Sequence, residues 1–190
     1  MQVQPLNDEH DRKNFDCGEP ALNNWLKQMA RQHKVKGVSS TFVTLDHAEA
    51  VEILGFYSIS LAEMLNTQLP AQYAKRLPSR VPVFRLGRLA TALTHQGKRV
   101  GEFMLFDAID RVKRISGEVG GIGLVANAKP TALAFFQAYG FEQRRSILFT
   151  SCCPGRAPSG PLDQWRTTPS DRGLPQPALN PPVSEYLSPP

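Results

Sequence analysis

At 190 residues the chain has room for one ordinary domain, and a hydrophobic content of 41% is enough for a real core. The formal charge of +5 falls within residues 1–150 and suits an anionic partner such as RNA. No stretch approaches the ~20 apolar residues of a membrane helix, the opening MQVQPLNDEHDRK lacks an apolar signal segment, and three cysteines (Cys17, Cys152, Cys153) with four scattered histidines form neither a disulfide framework nor a metal site; a cytoplasmic protein without metal is expected.

Residues 3–6 read as a short strand, after which Asn7 caps a short polar helix. Gly18 breaks the chain and Pro20 suits the first turn of a second helix. That helix places Leu22, Trp25, Leu26 and Met29 on one apolar face. Lys27, Arg31, Lys34 and Lys36 crowd the same region, as an RNA-binding patch or a solvated helix face. Residues 39–45 are rich in β-branched side chains and read as a strand, and residues 51–61 as its antiparallel neighbour. Residues 68–80 form a connection with a short helical piece. Residues 81–91, VPVFRLGRLAT, make a long central strand, in which Gly87 marks a bulge or a close backbone approach. Arg85 and Arg88 alternate with Leu86 and Leu89. At least one of the two arginines is placed to face a cleft and meet an RNA phosphate; otherwise they are surface charges.

Residues 98–116 form an amphipathic helix, with Val100, Met104, Ala108, Val112 and Ile115 on one face. The wholly apolar residues 122–126 read as a strand covered on both sides. Residues 130–139 are a helix ended by Gly140, and residues 141–150 a last strand. The order β-α-α-β-β-β-α-β-α-β implies a parallel pair in a mixed sheet, hence a single α/β (α+β) domain over residues 1–150. Residues 151–190 carry ten prolines and few branched apolar side chains, which predicts a disordered extension.

One segment carries chemistry. In residues 84–109 a strand runs into a glycine-flanked loop and then into the long helix. The first N–H groups of a helix lack internal partners, and with the helix dipole they hold a phosphate or diphosphate. Gly97 and Gly101 let a ligand approach the backbone, while Lys98 and Arg99 add charge. The alternative is an ordinary glycine turn before a core helix. Neither a dinucleotide GxGxxG after a strand nor a GxxxxGK[ST] loop is present.

The strand ending RLA, followed by Gln96-Gly97-Lys98-Arg99-Val100-Gly101, resembles the coenzyme-A pyrophosphate loop, [QR]xxGx[GA], of the GCN5-related N-acetyltransferases. Gln96 and Gly101 match. Arg99 stands at the motif's first glycine, where it keeps the N–H but its Cβ disfavours positive φ. Phe135-Phe136-Gln137-Ala138-Tyr139-Gly140-Phe141 resembles the family's FYxxxGF, and residues 15–30, RLGRLA and NAK (from Asn127) resemble the toxin branch of bacterial toxin–antitoxin pairs. The resemblance covers residues 3–149. It implies acetyl-CoA as co-substrate, wedged between two splayed parallel strands, with no metal. The backbone at Leu89, Ala90 and Thr91 would meet pantetheine and polarise the thioester carbonyl. Gln96, Gly97, Lys98, Arg99, Val100, Gly101 and Glu102 would hold the diphosphate, with Asn127 and Phe135 completing the cofactor site. Aminoacyl-tRNA is the implied acceptor, with Arg85, Arg88, Lys27, Arg31, Lys34 and Lys36 available to bind it. A cognate antitoxin and a homodimer are implied partners. The family's general acid, the tyrosine of FYxxxGF, is here Phe136; Tyr139, three residues on, is either its substitute or core packing beside the turn. A protein or small amine as acceptor, and a non-catalytic coenzyme-A or antitoxin-binding protein, are the competing readings.

Overall fold

The structure, a computed structural model, describes residues 1–144 and 147–151. Seven strands form one sheet in the order β1-β2-β3-β4-β5-β7-β6: β1 (Gln2–Pro5), β2 (Ser40–Leu45), β3 (Gly55–Leu65), β4 (Arg80–Thr91), β5 (Gly123–Ala126), β6 (Glu142–Arg144) and β7 (Ile147–Ser151). Neighbours pair antiparallel except β4 and β5, which run parallel. The parallel pair is joined by the long helix α4 (Val100–Val119), the crossover that such a pair requires. The mixed sheet agrees with the sequence. The proline-rich residues from 152 onward, expected to be disordered, lie outside the described residues.

Alternation along the strands sorts side chains to two faces. Tyr57, Phe84, Leu86, Leu89, Leu124 and Ala126 join α4 and α5 (Leu133–Ala138) in one core. On the other face, Val43, Leu45, Phe56 and Ala90 pack with Leu22, Trp25, Leu26 and Ala30 of the segment after β1. Farther along that face, Met64, Val83, Val125 and Phe149 pack with Leu69 and Tyr73, the latter from α3 (Ala71–Ala74). Fully burying a leucine such as Leu26 is worth roughly 2 kcal/mol, so these clusters fix which face each element covers.

Several expected boundaries move, each for a local reason. Residues 7–14 form turns instead of a helix: Asn7 Oδ1 accepts the Glu9 N–H at 3.0 Å, and Asp11 Oδ1 accepts those of Lys13 and Asn14 at 3.2 Å. Short polar side chains here compete with the helical ladder. The second helix is α1 (Pro20–Asn24), a π turn (Trp25–Met29) and α2 (Ala30–Val35) in succession, and the wider turn swings Met29 out to 39% exposure. The strand expected over residues 51–61 begins only at Gly55, leaving Val51 exposed. The single strand expected over residues 141–150 is two, β6 and β7, paired antiparallel.

Candidate active site

The β4–β5 ladder is short. Phe84 pairs with Leu124, Arg85 with Val125 and Leu86 with Ala126, and there it ends. β4 stays paired to β3 as far as Thr91 opposite Gly55. The peptide groups of residues 87–91 that point away from β3 therefore face no strand among the described residues. β5 stops at Ala126, and the chain turns off through Asn127, Ala128 and Lys129 to a single 3-10 turn, Pro130–Ala132. Lys129 is extended, at φ −62° and ψ 154°, as a residue before proline tends to be. A slot thus opens between the diverging ends of two parallel strands.

The slot leads to the start of α4. Gly97 has φ +75°, and an added Cβ there would meet nothing within 4 Å. Arg99 is also left-handed, at φ 62° and ψ 13°, the conformation that its Cβ disfavours. A non-glycine residue adopts this conformation at a cost of about 1–2 kcal/mol. Among the described residues, no hydrogen bond takes up the N–H groups of Gly97, Val100, Gly101 and Glu102. Gln96 serves as a brace: its Nε2 donates to the Thr91 carbonyl at 3.3 Å and to the Cys17 carbonyl at 3.2 Å, tying the loop to the end of β4 and to the N-terminal segment. The buried Thr91 hydroxyl oxygen has no partner among the described residues. An unpaired strand edge and free amides at a helix start fit a pantetheine arm ending in a diphosphate.

The opposite face of β4 carries the arginines. Gly87 is the bulged residue, since the register shifts between Ser58, opposite Arg88, and Ile59, opposite Leu86. Strict alternation would send Arg85 and Arg88 to opposite faces. The extra residue puts both on the face of Ser58 and Ser60, between the Trp25 cluster and the Val83 cluster. Arg85 is exposed. The Arg88 guanidinium lies 4.1 Å from the centre of the Trp25 ring, and burial lowers its pKa from the ordinary value. Among the described residues no carboxylate pairs with Arg88.

The other candidates divide. Phe136 is fully buried, with its ring 5.3 Å from Phe135 and 5.2 Å from Phe141. Tyr139 lies edge-on to Phe106 at 5.4 Å and Phe135 at 5.1 Å. Burial and then the Glu102 carboxylate push its phenol up to about 12, so it stays protonated at neutral pH beside the α4 N-terminus. Phe135 is 8% exposed beneath it, and Asn127 is exposed on the loop leaving the slot. Cys17 is buried, donates to Asn23 Oδ1 at 3.1 Å and is pushed up to about 11 by burial, the state of an inert thiol. Lys27, Arg31, Lys34 and Lys36 are all exposed. Arg31 pairs with Asp8 at 3.3 Å, and Lys34 donates to the Leu6 carbonyl at 2.9 Å; these two line a shallow cavity of about 410 Å³ with Asn7 and Arg12.

Two arrangements had no sequence signal. Glu19, just before α1, pairs with Lys129, 110 positions later, at 2.8 Å. Tyr57 of β3 donates its hydroxyl to Asp107 of α4, while Arg111 donates to Tyr57 Oη at 3.0 Å and to Asp107 Oδ2 at 3.1 Å. Only tertiary structure brings either set together.

No family model matches the chain. It is 31% identical over 138 residues to a "tRNA-acetylating toxin" of Mycobacterium tuberculosis (strain ATCC 25618 / H37Rv), an alignment covering 72% of this chain and 81% of the relative. Among solved structures it resembles AtaT complexed with acetyl-methionyl-tRNAfMet, at 28% identity and a TM-score of 0.72, over 79% of this chain and 94% of that one. It also resembles a tyrosine-to-phenylalanine mutant of AtaT bound to the C-terminus of the antitoxin AtaR and acetyl-CoA, at 28% identity and a TM-score of 0.65, over 80% of this chain and 92% of that one.

Proposed function

The chain belongs to the tRNA-acetylating toxins, acetyltransferases of the GCN5-related type, and from that membership we propose that it moves an acetyl group from acetyl-CoA to the α-amino group of aminoacyl-tRNA and so blocks translation. A cognate antitoxin is its partner protein. The observation that carries the reading is the fork: β4 and β5 part after Leu86 and Ala126, and the freed edge of β4 leads through residues 92–99 to the amides opening α4.

In this reading the thioester arm lies along residues 87–91. The Leu89 and Ala90 peptide groups orient it and polarise its carbonyl. Gln96 holds the loop in shape, while the backbone from Gly97 to Glu102, with Lys98 and Arg99, takes the diphosphate. Acetyl-CoA, when bound, supplies the acetyl group and a thiol leaving group of pKa about 8.5, which departs without an acid at Phe136. Arg85 and Arg88 meet the acceptor from the opposite face, and Lys27, Arg31, Lys34 and Lys36 extend the positive surface. Asn127 and Phe135 flank the cofactor arm. Tyr139, protonated at neutral pH, caps the C-terminus of α5, three residues after Phe136. The site of action is the cytoplasm, where charged tRNA is found; no helix among the described residues is long and apolar enough to cross a membrane.

The test is direct. Full-length protein, acetyl-CoA and a panel of aminoacyl-tRNAs should yield N-acetylated amino acid on alkaline hydrolysis. No transfer to any member overturns the assignment, and acetylation of a polyamine or lysine peptide with tRNA untouched would move the acceptor elsewhere. The buried Phe136 motivates a binding-only reading, for which calorimetry would find acetyl-CoA bound without turnover.

A further inference from the structure

The Glu19–Lys129 pair spans the slot. Lys129 lies three residues beyond Ala126, where β5 leaves β4. Glu19 lies on the other rim, fixed by the segment before it. The Leu93 N–H donates to the Asp16 carbonyl at 2.9 Å, and Gln96 Nε2 donates to the Cys17 carbonyl at 3.2 Å. A Cβ on Gly18 would come within 3.1 Å of Leu93 Cδ2. The carboxylate is therefore anchored to the loop that continues β4, and its one ion-pair partner among the described residues is on the loop that continues β5. What it holds is a primary ammonium, Lys129 Nζ, at 2.8 Å with both side chains about one-third exposed. A carboxylate at the mouth of an acyl-transfer slot, already seating a primary amine, is equipped to seat the reacting one.

We infer that Glu19 is the residue that receives the acceptor amine, with the Lys129 ammonium occupying its place at rest; the inference rests on the acetyl-transfer reading above. Lys129 yields the carboxylate to the incoming α-amine, whose N–H then donates to Glu19. The nitrogen lone pair forms the C–N bond to the thioester carbonyl carbon, and the C–S bond breaks with its electron pair leaving on sulfur. The nitrogen, made acidic by bond formation, passes its proton to Glu19, and the thiolate takes a proton from water or from Glu19. The sum is amine plus thioester to amide plus thiol. Because Phe136 supplies no hydroxyl, this side of the slot carries the protein's part of the proton transfer.

The test compares wild type with Glu19→Gln, Lys129→Met and the exchanged pair Glu19→Lys with Lys129→Glu, in the full chain with acetyl-CoA and aminoacyl-tRNA. Glu19→Gln should bind acetyl-CoA within about threefold of wild type by calorimetry. Its kcat/KM for aminoacyl-tRNA should fall tenfold or more, toward the 10²–10⁴-fold typical of a lost general base, and the deficit should shrink as pH rises from 7 to 9. Lys129→Met should lower the KM for aminoacyl-tRNA severalfold by removing the competing ammonium. The exchanged pair should stay as slow as Glu19→Gln. A loss under tenfold in Glu19→Gln, a loss of acetyl-CoA binding in it, an equal rate deficit in Lys129→Met, or recovery in the exchanged pair each overturns the inference and leaves the pair a staple. Wild type without activity on any aminoacyl-tRNA overturns the acetyl-transfer reading itself, and this inference with it.

Discussion

Tyr57→Phe isolates one hydroxyl that ties the wall of the slot to α4. Tyr57 sits opposite Leu89 in the β3–β4 ladder and is fully buried. Its hydroxyl donates to Asp107 and accepts from Arg111, and the Arg111 guanidinium lies 4.0 Å from the Phe42 ring centre. A hydrogen bond to a charged group is worth about 1.5–3 kcal/mol. The substitution would leave Asp107 and Arg111 paired with each other and, at 28% and 18% exposure, within reach of water, so the loss at pH 8 belongs near the low end, about 1.5 kcal/mol. The pH dependence is more diagnostic. Burial first, then Asp107, raises the Tyr57 pKa above its ordinary value. A raised pKa gives stability that is complete below the unfolded-state pKa of about 10 and lost above it. Between that pH and the folded-state pKa the unfolded chain releases a proton that the native state keeps. Wild-type stability through this group then falls by about 1.4 kcal/mol per pH unit. Tyr73 and Tyr139 titrate in both proteins and cancel. Urea unfolding at pH 8, 10 and 11 should therefore show gaps of about 1.5 and about 1.1 kcal/mol at the first two and almost none near pH 11. A gap constant to pH 11 would refute the claim that this phenol is held neutral by its surroundings.

Gln96→Ala removes the brace between Thr91 and Cys17; weaker acetyl-CoA binding by about 5–30-fold is expected from calorimetry, matching 1–2 kcal/mol of lost loop order. Arg88→Lys gives up the planar stack on Trp25 and should raise the KM for aminoacyl-tRNA while leaving acetyl-CoA affinity unchanged; titrations at two salt concentrations would show a similar electrostatic slope and an offset in affinity. Phe136→Tyr offers a hydroxyl at the family's acid position. Single-turnover acetylation should speed up by at least about tenfold, short of the 10²–10⁴ typical of general acids because a thiolate leaves readily. A slower enzyme with a lower Tm would instead mean that the ring is sealed in the core.

Motifs that act through the backbone were legible in the sequence, while contacts between distant side chains were not. Gln96, Gly97 and Gly101 marked a loop with free amides at the start of α4 because glycine placement and helix starts are local properties. The parallel pair in a mixed sheet followed from one long helix between two strands, though the order of the strands did not. Gly87 was recognisable as a bulge or a close approach, but its consequence was hidden: only the register shift shows that Arg85 and Arg88 share a face. The missed turns at Asn7 and Asp11 have the opposite cause, since local side-chain bonds there beat the helical pattern. Glu19 with Lys129, and Tyr57 with Asp107 and Arg111, join residues that are 50 or more positions apart, and no spacing rule reaches across such gaps.

That division predicts unequal tolerance of the departures from the family motif. A diphosphate held by peptide N–H groups is indifferent to side-chain identity, so Arg99 in place of glycine needs only the left-handed φ that the loop imposes, at about 1–2 kcal/mol. The guanidinium lies 3.6 Å from the Glu102 carboxylate. Phe136 is a different kind of departure, because a hydroxyl's chemistry cannot be supplied by backbone. The burden then shifts to a leaving thiol that needs little help and a carboxylate at the rim that already grips an amine. Cofactor binding should therefore survive most substitutions in residues 97–102 that keep the backbone path, whereas turnover should hinge on few side chains, Glu19 first among them.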